Sequence, residues 1–165
     1  MRDELQMLLQ KDFPFMQQNR VEEERNLYKR WGFECCDGWY GLIRELCQAI
    51  SERYERDGKD VDIEVLQVKE KFATLRFYYK YKDGSCSIQA LDLLGGASLR
   101  FAPNGGGDEE TVQFRNDIAD IVRSYEAKSG SVCEVCGEPG EIRKDLRWIR
   151  TLCESCYSKH PEKSK

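Results

Sequence analysis

Residues 61–85 read VDIEVLQVKEKFATLRFYYKYKDGS, a run dense in β-branched and aromatic side chains. Such side chains suit a pleated, half-buried surface. The stretch divides into two strands, about 61–69 and 74–82, joined by a tight turn near residues 71–73. On the second strand Leu75, Phe77, Tyr79 and Tyr81 alternate with Thr74, Arg76, Tyr78, Lys80 and Lys82. Successive strand side chains point to opposite faces, so one face is apolar and aromatic and the other basic. The apolar face needs a cover.

The flanking segments supply it. Trp39, Leu42, Ile43, Leu46, Cys47, Ile50 and Tyr54 form one continuous stripe at helical spacing, with Asp37 as N-cap and Gly58 as stop. On that stripe Cys47 reads as a small buried hydrophobe rather than a nucleophile. A shorter amphipathic helix over 3–12 carries Leu5, Leu8 and Leu9 and stops before Pro14. A third carries Phe114, Ile118, Ile121, Val122 and Tyr125 and ends near Gly130. Asp108 caps it, and Glu109 and Glu110 favour its dipole. After the Asp83-Gly84 turn, SCSIQALDLL reads as a third strand and GGASLRFAP as a candidate fourth. The run Asn104-Gly105-Gly106-Gly107 is a connector: it lacks the Lys-Ser/Thr of a Walker loop and the spacing of a dinucleotide fingerprint. Residues 14–34, with Glu22-Glu23-Glu24-Arg25 and Lys29-Arg30-Trp31, fit either a helix or a wrapped loop. The predicted fold is α+β: an antiparallel sheet with helices packed on one face over residues 1–130, then a separate small module over 131–165.

That module reads SVCEVCGEPGEIRKDLRWIRTLCESCYSKH over residues 131–160. Cys133/Cys136 and Cys153/Cys156 are two C-x-x-C pairs sixteen residues apart, within the range of a four-cysteine zinc site. Gly137 and Gly140 supply backbone freedom just past the first pair. Four thiolates complete a tetrahedral shell, so one structural zinc per chain is expected, in a ribbon whose hairpin spans 141–151. About 35 residues cannot build an adequate core alone, so metal ligation should supply most of the module's folding energy. Trp148 and Ile149 are placed to cover the cluster or to pack on the core. Two redox motifs or two disulfides are the competing reading.

The 165 residues are 40% hydrophobic and 34% charged, enough for a core and a soluble surface. The net charge of -4 argues against a generic polyanion binder. It is uneven: residues 131–165 carry seven Lys/Arg against six Asp/Glu, and the rest carries a charge of -5. MRDELQMLLQKD is not a signal peptide, and no apolar run approaches the roughly 20 residues of a membrane helix. Cys35, Cys36, Cys47 and Cys86 form no disulfide framework, so a reducing cytoplasm is the expected location.

Two basic groups are candidate binding sites. Lys69, Lys71 and Arg76, if they share a face, make a cationic platform with Tyr78 for a phosphate-bearing ligand, a nucleotide or an acidic protein. Against this stands a plain solvated face interspersed with Glu64 and Glu70. Arg147, Trp148 and Arg150, with Arg143 and Lys144, make the ribbon hairpin basic and able to touch nucleic acid. Catalysis is harder to place. The single histidine, His160, excludes histidine-based triads. Glu70 directly precedes Lys71, so the two point to opposite strand faces and fail the spacing of a metal-dependent nuclease. Asp60, Asp62 and Glu64 read as solvated charge, with weak magnesium binding as the alternative.

GWYGLIRELC (38–47), QVKEKF (67–72) running into LRFYY (75–79), and the CEVCG…WIRTLC tail together resemble a family of small bacterial and bacteriophage proteins with a C-terminal four-cysteine motif. The resemblance covers residues 36–82 and 131–156. It departs at Ala73, where glycine is expected after KEKF, and at the insertion-like segment 95–107. It implies zinc and a bacterial or phage origin, and no activity. The expected function is a non-enzymatic zinc-containing binding protein for an anionic ligand or a host protein, in phage form a host-takeover or anti-defence factor. The alternatives are a zinc-ribbon nucleic-acid-binding regulator, and a metal-dependent enzyme with its site away from the cysteines. No membrane partner is expected, and oligomeric state is not readable.

Overall fold

In a computed structural model, which describes residues 1–20, 26–83, 89–92, 98–101 and 108–162, helix α1 (Asp3–Asp12) opens the chain. It buries Leu9, while Leu8 stays exposed. A 3-10 turn over Pro14–Met16 then carries Phe15 and Met16 into the core. The part of 14–34 that the sequence left open contains helix α2 (Leu27–Trp31) and strand β1 (Phe33–Glu34). Asn26 caps α2 by accepting from the Lys29 amide at 3.0 Å, and its amide donates to the Val65 carbonyl at 2.9 Å. The acidic run at 21–25 lies outside the described residues.

Helix α3 (Tyr40–Arg56) buries the predicted stripe, including Cys47, with Trp39 fully buried just ahead of it. Its start differs from expectation. Asp37 opens a 3-10 turn, and its carboxylate accepts from the backbone and side chain of Arg2 instead of capping α3. The Arg2 contact, 35 residues away in the chain, has no local sequence signature.

Strands β2 (Ile63–Lys71) and β3 (Thr74–Tyr81) form the predicted antiparallel hairpin. Its two-residue turn, Phe72-Ala73, has positive φ at both positions, 52° and 64°. Such turns match the right-handed twist of the strands, although glycine and asparagine fill them more comfortably. Leu75, Phe77, Tyr79 and Tyr81 are all buried, at roughly 1.5–3 kcal/mol for a fully buried large apolar side chain. The register shifts between Val65 and Gln67. The sheet order is β1-β2-β3, with β1 parallel to β2, so the sheet is mixed within the predicted α+β class. Helix α3 is the crossover that a parallel pair requires. A two-residue strand is too short to show a period.

β4 (Gln89–Asp92) and β5 (Ser98–Phe101) lie in the predicted third and fourth strands. Among the described residues they pair with each other as a separate antiparallel ribbon. The glycine run at 104–107 lies outside the described residues. Helix α4 (Glu109–Lys128) is capped by Asp108, which accepts from the Thr111 amide at 2.8 Å. Phe114 packs edge-on against Tyr54 of α3, with ring centroids 4.8 Å apart. Buried Glu126 on the same helix accepts from the Phe77 amide, and Ser129 accepts from the Leu75 amide, each at 2.8 Å. The outer edge of β3 thus finds acceptors on the helix side chains, which blunts a sheet edge.

Strands β6 (Glu141–Arg143) and β7 (Arg150–Leu152) pair antiparallel, followed by the short helix α5 (Glu154–Ser158). One apolar cluster joins α1, α3, α4 and the β1-β2-β3 sheet; a second contains Cys133, Leu146 and Leu152. No helix among the described residues is long and apolar enough to cross a membrane.

Candidate metal centre

The first cysteine pair sits on a tight loop. The Gly137 amide donates to the Cys133 carbonyl at 2.9 Å, and Gly137 has a φ of +85° that a side chain would strain. The second pair lies at the start of α5, where the Cys156 amide points at the Cys153 sulfur, 3.4 Å away. Strands β6 and β7 bring the two loops together. The four ligand sulfurs all lie within 4.8 Å of one another, with Cys136 and Cys153 3.6 Å apart. A disulfide needs about 2.05 Å, and the seven described cysteines are free thiols. Two sulfurs of a tetrahedral site with bonds of about 2.3 Å would be about 3.8 Å apart. The cluster can therefore hold a metal ion, which replaces the reading of two separate disulfides.

Its electrostatics point the same way. Burial pushes the Cys133 thiol up, but the backbone amides of Cys153, Cys136 and Val135 outweigh it and bring the thiol down to about 7. Cys156 is pushed up, first by burial and then by its crowded neighbours Cys136, Cys153 and Cys133. One thiolate suppresses the next in a shared site, and a bound cation relieves that repulsion. Among the described residues, these cysteines are the group of three or more metal-type ligands that converges. Asp62 instead accepts from the Tyr54 hydroxyl, and Glu64 pairs with Lys80 at 3.1 Å.

Leu146 and Leu152 back the cluster, whereas Trp148 is 68% exposed. Of the two roles the sequence offered Trp148 and Ile149, covering the cluster falls to the leucines, while the Trp148 indole reaches Glu70 of the core hairpin.

The cysteine segment is tied to the core by contacts without a spacing signature. The Trp39 indole N–H donates to the Val132 carbonyl at 2.8 Å, and the Gly38 amide donates to the Glu134 carbonyl at 2.9 Å. The Thr151 hydroxyl donates to the Ala73 carbonyl at 2.6 Å, and the Glu134 amide donates to the Thr151 carbonyl at 2.9 Å. Glu134 is buried and paired with Arg150, whose guanidinium also lies 3.4 Å from the Cys36 sulfur. Burial raises the Glu134 carboxyl against the opposing pull of Arg150. Residues from 38–47, 67–79 and 131–156 thus meet one another around this junction.

The register puts Lys69 opposite Arg76, Lys71 opposite Thr74 and Gln67 opposite Tyr78, on the strand face away from Phe77 and Leu75. Lys69 Nζ lies 5.5 Å from the Tyr78 ring centre, and Arg76 is steadied by bonds to Thr74 Oγ1 and the Leu75 carbonyl. The four candidate residues are brought together. The ribbon trio is divided instead: Arg150 turns inward to Glu134, Arg147 is exposed, and the Trp148 indole donates to Glu70 at 3.3 Å.

Comparison with protein-family models, curated proteins and solved structures finds no match to this chain.

Proposed function

We propose that this chain is a non-enzymatic zinc-holding protein that binds an anionic ligand on the outer face of its central hairpin. Zinc fits the donor set because four thiolates in tetrahedral reach suit a closed structural site, which leaves no position for substrate. The observation that carries the binding reading is the pairing of Lys69 with Arg76 across β2 and β3, with Lys71 and Tyr78 on the same face. Two adjacent cations beside an aromatic ring suit a phosphate or an acidic protein surface. For a phage source, one concrete form is a host-takeover or anti-defence factor that sequesters a nucleotide signal or occupies a host protein in a bacterial cytoplasm.

Native mass spectrometry of the chain purified from cells tests both parts. One zinc per chain and a co-purified anion that is lost in Lys69→Ala and Arg76→Ala support the proposal. Partner binding that persists in both variants would remove the platform. Steeply salt-dependent binding of DNA or RNA that survives those variants would favour the nucleic-acid alternative.

A further inference from the structure

Where the hairpin tip, the segment ahead of α3 and the cysteine segment meet, they line an open cavity of about 290 Å³. Glu34, Cys36, Glu70, Glu134, Trp148 and Arg150 line it. Three carboxylates face one guanidinium, so an anion is disfavoured there.

Two further observations point to a ligand. Glu134 is only 2% exposed; its Oε1 takes Arg150, while its Oε2 is buried without a hydrogen-bond partner. A buried, unpaired carboxylate oxygen is costly, and a donor brought by a ligand would satisfy it. Trp148 is a large aromatic left mostly in solvent, yet it is held at this cavity by its N–H on Glu70. A metal ion is a poor occupant. The acids and Cys36 do not converge into one shell as the four cysteines do.

We infer that this cavity binds an alkylammonium group, carried either by a lysine side chain of a partner polypeptide or by a free polyamine. The ammonium donates to Glu134 Oε2 and Glu70, and its positive charge offsets the excess of carboxylates. The Trp148 ring covers the alkyl stem and attracts the cation. An open cavity of this volume has room for a short alkyl chain beside Trp148. This site is separate from the Lys69/Arg76 face and does not rest on the anionic-ligand reading.

The test is a ¹H–¹⁵N NMR titration of the full chain as purified, read at the Trp148 indole and the Cys36 amide. The probes are 1,4-diaminobutane and the peptide acetyl-Gly-Lys-Gly-amide, with 1,4-butanediol and sodium chloride as controls. Saturating shifts with an amine, absent with both controls, are expected. Saturation by the diamine alone identifies a free polyamine as the source, and tighter binding of the peptide identifies a polypeptide. Glu70→Gln keeps the acceptor for the Ala73 amide, and Trp148→Leu alters an exposed side chain, so both variants should fold. Each should weaken binding about fivefold, read at Cys36. No saturation by about 10 mM amine, equal shifts with either control, or unchanged affinity in both variants would overturn the inference.

Discussion

Gly38 and Gly137 hold two distant backbones in contact. A β-carbon on Gly137 would lie 2.9 Å from the Gly38 carbonyl oxygen, and one on Gly38 would lie 2.6 Å from the Gly137 nitrogen and closer still to the Cys133 carbonyl. The atoms in the way are backbone, so they cannot swing aside. Gly38→Ala should therefore cost about 1–3 kcal/mol, as overpacking typically does. Gly41→Ala is the control, since a β-carbon there meets nothing within 4 Å. Chemical denaturation of the two variants checks the contrast; equal midpoints would mean that the junction tolerates separation.

Metal loss should act first on the C-terminal segment. Its small apolar cluster of Cys133, Leu146 and Leu152 is too small to hold the fold alone. Chelation, or Cys133→Ser, should expose residues from about 131 onward to protease while α3 and the β2–β3 hairpin stay protected. Metal binding must displace thiol protons, so affinity should fall as pH falls below the ordinary thiol range of about 8.5. Limited proteolysis with mass mapping, and a metal titration at two pH values, decide it.

The β3 edge depends on a buried acid. Glu126→Ala would leave the Phe77 amide without its acceptor in the core, at about 1–3 kcal/mol. Glu126→Gln keeps a side-chain oxygen and should lose less. Thermal unfolding of the pair should rank them in that order, and faster hydrogen exchange of the Phe77 amide should accompany the alanine variant.

Acid should loosen the packing of α3 on α4. Arg53 pairs with Asp57 at 2.9 Å and with Asp117 at 3.0 Å. The hydrogen bond from Arg53 holds the Asp57 carboxyl below its ordinary value. Gln113 and then Arg53 do the same for Asp117. Both carboxyls are depressed on folding, so their contribution is present above the unfolded value of about 3.9 and is lost as pH falls through the folded values. The unfolding temperature should be flat near neutrality and drop below about pH 4. Arg53→Leu should flatten that drop; an unchanged profile would place the acid sensitivity elsewhere.

Hairpin, stripe and cysteines were legible because each is a short-range pattern. The alternation from Leu75 to Tyr81 gave β3 its inward face, and the stripe from Trp39 to Tyr54 gave α3 its buried side. The same period allowed Lys69 and Arg76 to share a face, and the Phe72-Ala73 turn, which the structure places, sets them opposite each other. Asp37 misled because an acid ahead of a helix reads as a cap, and only the fold brings Arg2 to it. Arg150 misled in the same way: among basic neighbours it reads as surface, and only the fold brings buried Glu134 beneath it.

By itself, the sequence determined the β2–β3 hairpin, the three longer helices and the four clustered cysteines, because strand alternation, helical spacing and the C-x-x-C turn all act over a few residues. The tertiary structure decided what those parts do to one another. It set β1 parallel to β2, put the Glu126 carboxylate on the β3 edge, and joined Gly38, Ala73 and Thr151 around the cysteine loops. Backbone contact and burial across tens of residues depend on how the chain closes on itself, which no local pattern records.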